Sequence, residues 1–192
     1  MSRGVRSPLR ATYPDAVADV SVRPARAADA ERVARVQLST WRTAYTDLLP
    51  PLALEVPEVQ VAALWLSAVE RPPSPRHRLL VALEREELVG FAASGPAGDE
   101  DLDPATTAEL LTLLVEPRWG QRGHGSRLVA ASVQDWRADG VRTAVSWVRE
   151  RDAASRSFLR SAGWEADGAA RWLDTGPRVQ RQLRFHTDLS EA

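Results

Sequence analysis

A glycine-rich segment between an apolar run and a helical pattern is the part of the sequence best suited to bind an anion. The segment Val115–Leu128, VEPRWGQRGHGSRL, places Gly120, Gly123 and Gly125 within six residues. At a helix start, free backbone N–H groups point outward, the macrodipole is positive, and glycine lets anionic oxygens approach the main chain. The segment therefore favours a phosphate cradle, to which Arg122 could add a countercharge. It matches neither a Walker loop nor the dinucleotide G-x-G-x-x-G, so spacing alone fits a tight turn between core elements equally well.

An acidic segment further upstream raises the question of a cation site. Asp99, Asp101 and Asp103 match the spacing of the first three ligands of a calcium loop. Pro104 stands where that loop needs glycine, and Leu110 stands where it needs a bidentate glutamate, so we exclude calcium. The segment instead either draws cationic amines toward a nearby site or forms the solvated end of a hairpin.

Composition narrows the class of protein. The chain has 192 residues, of which 44% are hydrophobic and 27% charged, as expected for one soluble α/β domain. Its 25 Lys+Arg are balanced by 26 Asp+Glu, which argues against a nucleic-acid partner. Without a long apolar run or a signal sequence, we expect a cytoplasmic protein with no membrane partner. The absence of cysteine excludes disulfides and a thiol nucleophile, and His77 and His186 lack a spacing that suggests a metal.

Hydrophobic periodicity predicts the elements that precede the glycine motif. Residues 1–18 lack such periodicity and are expected to form a flexible tail, with a single domain over residues 19–192. The stretch 20–22 alternates as a strand does, and Asp29 stands at the N-cap position of a helix. A second helical region is expected from about Trp41 to Val69, interrupted by prolines. Its expected inner face consists of Val61, Leu64 and Trp65.

The remaining elements surround the glycine motif. A hairpin is predicted over Arg78–Leu83 and Leu88–Ser94, followed by a buried central strand, Glu109–Val115, that leads into the motif. The elements after it are a helix ending at Asp139-Gly140, the strand Val141–Val148, a helix from Asp152 to Gly163, and the strand Val179–Phe185. This order predicts an α/β (α+β) fold in which a mixed central β-sheet of six to seven strands carries helices on both faces.

Four segments together resemble one known family. The pattern V-x-P-x-x-x-x-x-G-x-G-S-x-L of Val115–Leu128 resembles the acyl-CoA pyrophosphate loop of the GNAT superfamily of acyl-CoA-dependent N-acetyltransferases. Val22–Asp29 is similar to the family's first strand and helix start, and Trp41–Tyr45 to its second-helix region. Asp152–Trp164 is similar to its later N-x-x-A-x-x-F-Y…G-F block. The likeness covers about Val20 to Phe185 and agrees with the element order above, so it implies the GNAT fold.

The resemblance also implies a binding site for acetyl-CoA. Strand residues would hold the thioester and pantetheine arm, the glycine loop would wrap the pyrophosphate, and His124 would face phosphate or solvent. The implied residues are Leu113, Leu114, Val115, Gln121, Arg122, Gly123, His124, Gly125, Ser126, Asp152, Ser155 and Phe158. The chain departs from the family where Gly120 replaces the usual Arg or Gln and where Asp152 replaces the usual Asn. Phosphate binding must therefore depend on backbone N–H groups and Arg122.

Acetyl transfer to an amine requires a base, because a primary alkylamine has a pKa of about 10. Glu109 is the candidate, since it lies 14 positions before Gly123, where some family members carry a catalytic glutamate, and burial could raise its pKa. The alternative is a solvent-facing charge at a strand end. The family's tyrosine acid corresponds to Leu159, which cannot donate a proton. Ser155, Tyr45 or a water could substitute, although Ser155 fits a capping role equally well.

The acceptor side is less defined by sequence. Trp41 and Tyr45 lie four residues apart, so they share a helix face and either wall an acceptor pocket or belong to the core. By resemblance, we expect an N-acetyltransferase that needs no metal and transfers acetyl from acetyl-CoA to a primary amine of a small molecule, peptide or protein by direct attack in a ternary complex. Dimers are common in the family, so a homodimer stays open. The alternatives are an acyl-CoA-binding module with little catalysis and a silent interaction module.

Overall fold

Seven strands form one mixed sheet in the part of the chain that the computed structural model describes, residues 20–174 and 179–190. They are β1 (Val20–Pro24), β2 (Arg78–Glu84), β3 (Glu87–Pro96), β4 (Thr107–Val115), β5 (Thr143–Arg149), β6 (Glu165–Asp174) and β7 (Val179–Asp188). Their order in the sheet is β1-β2-β3-β4-β5-β7-β6, and of the neighbouring pairs only β4 and β5 are parallel. The predicted flexible tail, residues 1–18, lies outside the described residues.

Helices cover both faces of this sheet, so the predicted fold is confirmed. They are α1 (Ala30–Ala44), α2 (Pro51–Leu54), α3 (Glu58–Glu70), α4 (His124–Ala138) and α5 (Ala153–Ser161). Leu128 of α4 and Leu159 of α5 join the core on one face, and Val33 of α1 joins the core on the other. Among the described residues, no helix has both the length and the apolar character that crossing a membrane requires.

The helices before β2 differ from the prediction in two respects. Trp41 lies within α1, which continues to Ala44, so no helix boundary precedes it. On α3, Val61 is buried and Trp65 packs edge-on against Phe91 with ring centroids 5.0 Å apart, but Leu64 is 69% exposed. The predicted inner position of Leu64 is wrong because, at about 100° per residue, it points away from the arc that Val61 and Trp65 share.

Strand β6 has no counterpart among the predicted elements. Its ten residues, EADGAARWLD, are mostly exposed on both sides because it forms the outer edge of the sheet against β7. The pairing shifts register between Ala166 and Ala170, around Gly168 with a φ of 91°. An exposed strand with an internal irregularity shows no period-2 alternation, so the sequence carries no pattern for it.

Strand β5 sends its alternate side chains to two different environments. Ala144 and Val148 belong to the core on the α4 side, which also contains Phe185 of β7. Residues of the other parity point to the opposite side of the sheet, where α1 lies. Through the register of β5 with β7, this second face carries Trp147, Arg149, Gln182 and Arg184.

Candidate active site

Strands β4 and β5 part in the middle of the sheet and leave a cleft. Within the described residues, their pairing ends at Glu109↔Val145 after three positions. Against β3, the register of β4 skips Leu111, which is a β-bulge that bends the strand. Leu111 is 51% exposed, so the predicted burial of the central strand is wrong at this residue, whereas Leu110 and Leu114 are buried as predicted. The second half of β4 lines the cleft instead of packing against β5.

Two adjoining cavities occupy this cleft. The central cavity, about 230 Å³, is lined by β4 and β5 and closed by Trp41 of α1 and by Tyr45, the residue that follows this helix. The glycine groove, about 520 Å³, is lined by the glycine loop, Val115 and Trp119. Residues that line both are Leu113, Ser155 and Phe158. An elongated ligand could therefore lie in the groove and present one end in the central cavity.

The glycine loop leaves the start of α4 open to the groove. Gly123 occupies the N-cap position in the left-handed region, with a φ of 80°, and no side chain caps the helix. The backbone N–H groups of His124, Gly125 and Ser126 thus lack intrahelical partners, and all three residues line the groove. A β-carbon on Gly125 would lie 3.2 Å from the Phe158 ring, so this glycine also permits close packing of α5. The packing interpretation therefore holds at Gly125, and the uncapped helix start after Gly123 is the feature that the cradle interpretation requires.

Two side chains of this loop do not face the groove. His124 is almost fully buried, and its Nε2 lies 2.8 Å from Glu84 Oε2, so the expectation that it faces phosphate or solvent is wrong. The guanidinium of Arg122 lies 4.7 Å from the Trp119 ring centroid and 3.4 Å from Glu84 Oε1. The predicted countercharge is therefore held by Glu84, outside the lining of the groove. An anion in the groove would rely on backbone N–H groups, as the replacement at Gly120 predicts.

A hydrogen-bonded chain runs from Tyr45 through Ser155 to Asp152 at the junction of the two cavities. Asp152 caps α5: its Oδ1 accepts the Ser155 N–H at 2.9 Å and its Oδ2 accepts the Ser155 hydroxyl at 2.7 Å. The Tyr45 hydroxyl lies 3.4 Å from Ser155 Oγ. Because Ser155 gives its proton to the carboxylate, Tyr45 is the donor in the remaining contact. Burial, followed by the negative charge of Asp152, raises the pKa of Tyr45.

Glu109 lies at the point where the cleft opens. Glu109 is only 9% exposed, so the interpretation that it is a solvent-facing charge at a strand end is wrong. Burial raises the pKa of its carboxyl group, and the charge of Asp99 acts in the same direction, against Arg171 and the Gly98 N–H. Glu109 does not itself line the central cavity, whereas the adjacent Leu110 does. The carboxylate therefore lies behind the lining of the cavity.

The acidic segment is fixed to the far end of the sheet by a buried arginine. Arg184 of β7 makes two hydrogen bonds to Asp101, at 2.7 and 2.8 Å, and a third to Asp167 at 2.6 Å. Asp99 accepts from the indole Nε1 of Trp147 at 2.9 Å and also lies 3.5 Å from Arg184. The carboxylates of Asp99 and Asp101 are thus neutralised, which weakens the interpretation that they attract amines.

Several cavity residues were not predicted from the sequence. Trp147 and Arg149 of β5, Gln182 of β7 and Thr112 of β4 all line the central cavity. The strand Val141–Val148 was predicted as a whole, but its two faces were not distinguished. The alternation of Ala144 and Val148 with polar or aromatic residues was the available signal, because period 2 separates a core face from a second face.

Solved structures with the same architecture include several acetyltransferases. The PaiA N-acetyltransferase of Thermoplasma acidophilum in complex with coenzyme A aligns with a TM-score of 0.68 at 15% identity, over 88% of this chain and 98% of that chain. YncA of Salmonella typhimurium, solved with its cofactor acetyl-CoA, aligns at 0.68 and 19% identity, over 91% and 96%. The ribosomal-protein-alanine N-acetyltransferase of Brucella melitensis aligns at 0.69 and 22%, over 88% and 99%. The chain thus has the fold of this class of acyltransferases.

A sequence model gives the family. The model described as acetyltransferase (GNAT) family matches residues 38–164, which is more than half of the 192-residue chain. The protein therefore belongs to the acetyltransferase (GNAT) family, in agreement with the resemblance of its glycine motif. The matched region contains β4, β5, the glycine loop and α5, and with them the whole junction of the two cavities. No protein with a curated description has a significantly similar sequence.

Proposed function

We propose that the protein transfers the acetyl group of acetyl-CoA to a primary amine of a small molecule, peptide or protein, by direct attack in a ternary complex. The observation that carries the proposal is the junction at Leu113, Ser155 and Phe158, where the glycine groove meets the central cavity. A groove with free N–H groups suits the phosphate end of acetyl-CoA, and the cavity suits its reacting end and the acceptor.

The residues of the groove fit this co-substrate. The N–H groups of His124, Gly125 and Ser126 would bind the pyrophosphate, with Gln121 beside them at the loop surface. Phe158 lies between groove and cavity and would pack against the pantetheine arm, and the open half of β4, Leu113–Val115, offers backbone along it. Asp152 would act through Ser155, whose N–H and hydroxyl its two oxygens hold.

Glu109 is the proposed base. Its raised pKa lets it accept a proton from an ammonium group near neutral pH more readily than an ordinary carboxylate does. Its position at the end of the β4–β5 pairing, behind Leu110, is consistent with action through one water. The neutral amine would then attack the thioester carbonyl, form the amide bond and expel the thiolate of CoA.

Tyr45 is the proposed proton donor to that thiolate. Leu159 is 2% exposed and has no proton to give, whereas the Tyr45 hydroxyl lies at the cavity and is hydrogen-bonded to Ser155. Its raised pKa keeps it protonated across the working pH range. A thiol of pKa about 8.5 is a tolerable leaving group, so this donor would assist the reaction without being indispensable.

Turnover with a panel of amines tests the proposal. Purified protein with acetyl-CoA and polyamines, aminoglycosides, amino acids or peptides should release free CoA thiol with at least one acceptor. Initial rates at varied concentrations of both substrates should give intersecting reciprocal plots, since a ternary complex forms. Parallel plots would indicate a covalent acyl-enzyme instead.

An acyl-CoA-binding module with little catalysis is the second candidate. It is favoured by Leu159 at the position of the expected acid and by Gly120 in the loop. Under this alternative, acetyl-CoA would raise the melting temperature, as any ligand of the native state does, but no acceptor would release thiol. Failure of millimolar acetyl-CoA to stabilise the protein would contradict both candidates.

A further inference from the structure

Arg149 is an unpaired cation in the central cavity. It ends β5, is half-buried and lines the cavity. Within residues 20–174 and 179–190, its guanidinium makes no ion pair or hydrogen bond, and its Nε is buried without a partner. Leaving a buried charged donor unsatisfied destabilises the folded state, so such a group indicates a ligand that satisfies it.

The other arginines on this side of the sheet are already satisfied. Arg184 binds Asp101 and Asp167, and Arg171 donates from Nε to Gln182 Oε1 at 2.8 Å. Arg171 also stacks over the Trp147 ring at 4.4 Å. Arg149 therefore differs from its neighbours in having its donors free, although it belongs to the same face of β5 and β7.

Asp152 influences the charge of Arg149 but does not pair with it. Within the described residues no hydrogen bond or ion pair joins the two side chains, and the carboxylate of Asp152 is turned to the N–H and hydroxyl of Ser155. Burial lowers the pKa of Arg149, which is the expected effect of an environment that does not compensate the charge. A planar guanidinium with free donors binds a carboxylate in bidentate fashion.

The position of Arg149 assigns such an anion to the acceptor. Arg149 lines the central cavity and a neighbouring cleft beside Leu48 and Trp172, but it does not line the glycine groove. Along β5, Arg149 lies four residues beyond Val145, the residue that pairs with Glu109. At about 3.3 Å per residue, the distance along the strand from Val145 to Arg149 is about 13 Å. Base and guanidinium thus lie toward opposite ends of the cavity, matching an acceptor with an amine and a carboxylate.

We propose that Arg149 binds the carboxylate of the acceptor, so that the acceptor is a small amino acid or related amino-carboxylate. This inference rests on the proposed acetyl transfer and specifies its substrate class. The cavity volume of about 230 Å³, below the roughly 300–1,000 Å³ of pockets for drug-sized ligands, favours a small acceptor over an aminoglycoside.

Paired acceptors test this assignment. Each amino acid is compared with its carboxamide, which keeps the amine and removes the charge. The wild-type protein should have a kcat/KM about 10- to 100-fold higher for the carboxylates, the range of a charge-assisted hydrogen-bonded pair. Arg149→Gln should abolish this preference, chiefly by raising KM, and Arg149→Lys should restore part of it. Arg142→Gln, which removes an exposed charge near the start of β5, is the matched control and should retain the preference.

Two results would overturn the assignment. The first is equal use of carboxylates and carboxamides by the wild-type protein. The second is an equal fall of kcat for both classes in Arg149→Gln, which would place the guanidinium on the departing thiolate. If no acceptor is acetylated, the carboxylate site can still be tested by thermal stabilisation. With CoA present, N-acetyl amino acids should raise the melting temperature of the wild-type protein but not that of Arg149→Gln. Absence of that shift contradicts the carboxylate site, whereas its presence without turnover contradicts only the acetyl transfer.

Discussion

Glu109 is the last residue of β4 that pairs with β5, opposite Val145, and the two strands separate immediately beyond it. This contact places a buried carboxylate at the closed end of the cleft, behind the cavity that the separated strands enclose. Because the fold itself creates the cleft at this position, the proposed base lies beside the site without any loop having to position it.

Replacing Glu109 by Gln should lower kcat by about 10²- to 10⁴-fold, the usual contribution of a positioned base. In the wild-type protein the rate should rise with pH through the raised pKa of this carboxyl group, because only its ionised form accepts a proton. That acidic limb should be missing in the variant. Glu100→Gln removes an exposed charge from the same acidic segment and should keep both the rate and the limb. An unchanged pH profile in Glu109→Gln would show that another group is the base.

The same substitution should stabilise the protein at neutral pH. A carboxyl group whose pKa is raised in the folded state binds its proton more tightly there, so it destabilises the fold as pH rises above its ordinary value. Glu109→Gln should therefore raise the melting temperature at about pH 7, and the difference should disappear toward about pH 4. A variant that melts lower than the wild type at neutral pH would contradict the direction of this shift.

Gly123→Ala should weaken acetyl-CoA binding and the fold together. Its φ of 80° costs a residue with a β-carbon roughly 1–2 kcal/mol, and relaxation would turn the open N–H groups of α4 away from the groove. Gly140→Ala is the matched control, since Gly140 has a φ of 77°, open space around it and a position at the other end of α4. Calorimetric titration should give a weaker Kd for Gly123→Ala only, while both variants lose similar stability. Equal Kd values would show that the loop does not hold the ligand.

Tyr45→Phe should lower kcat by about 10-fold with little change in KM, because a proton donor is lost while the ring remains. Ser155→Ala should have a comparable effect, and the double variant should be no slower than the slower single variant, since the two hydroxyls act as one chain. Because the pKa of Tyr45 is raised, its ionisation should cause no loss of wild-type rate at any pH up to about 10. Additive losses in the double variant would contradict a shared role.

Arg184→Leu should destabilise the protein by about 2–3 kcal/mol. The residue is 7% exposed and binds Asp101 and Asp167, so its removal leaves carboxylates without their partner. We place the loss below that of a fully buried pair because Asp101 is largely exposed. Denaturant titration measures the difference, and Arg151→Leu, at an exposed position, is the control. A loss under about 0.5 kcal/mol would mean that the acidic segment is held by other contacts.

The sequence carried strong signals for the elements with one buried face and weak signals for the rest. Helix α4 with Leu128 was predicted because its apolar residues recur with a helical period, and the hairpin of β2 and β3 because two apolar runs flank a charged turn. The glycine motif was found from the spacing of its glycines. Strand β6 was missed because both of its faces are largely exposed, and Leu64 was misplaced because an apolar side chain lies outside the buried arc of α3.

The residues of the candidate site also divide into those that the sequence signals and those that it does not. Phe158 and Ser155 lie in or near a recognisable motif, whereas Arg149 becomes notable only through the absence of a partner, which no local pattern encodes. The orientation of His124 toward Glu84 likewise depends on a contact 40 residues away in the chain. Motifs therefore predict where a ligand binds, while unpaired or redirected side chains are found only once tertiary contacts are known.

The most direct test of the central claim is to incubate the protein with acetyl-CoA and a set of amino acids, and to measure CoA thiol release together with the mass of the acceptor. We expect at least one amino acid to gain one acetyl group in a one-to-one ratio with the thiol released, at a rate that Glu109→Gln strongly reduces. Saturable binding of acetyl-CoA without any acetylated product, across amino acids, polyamines and peptides, would contradict acetyl transfer and leave a binding module.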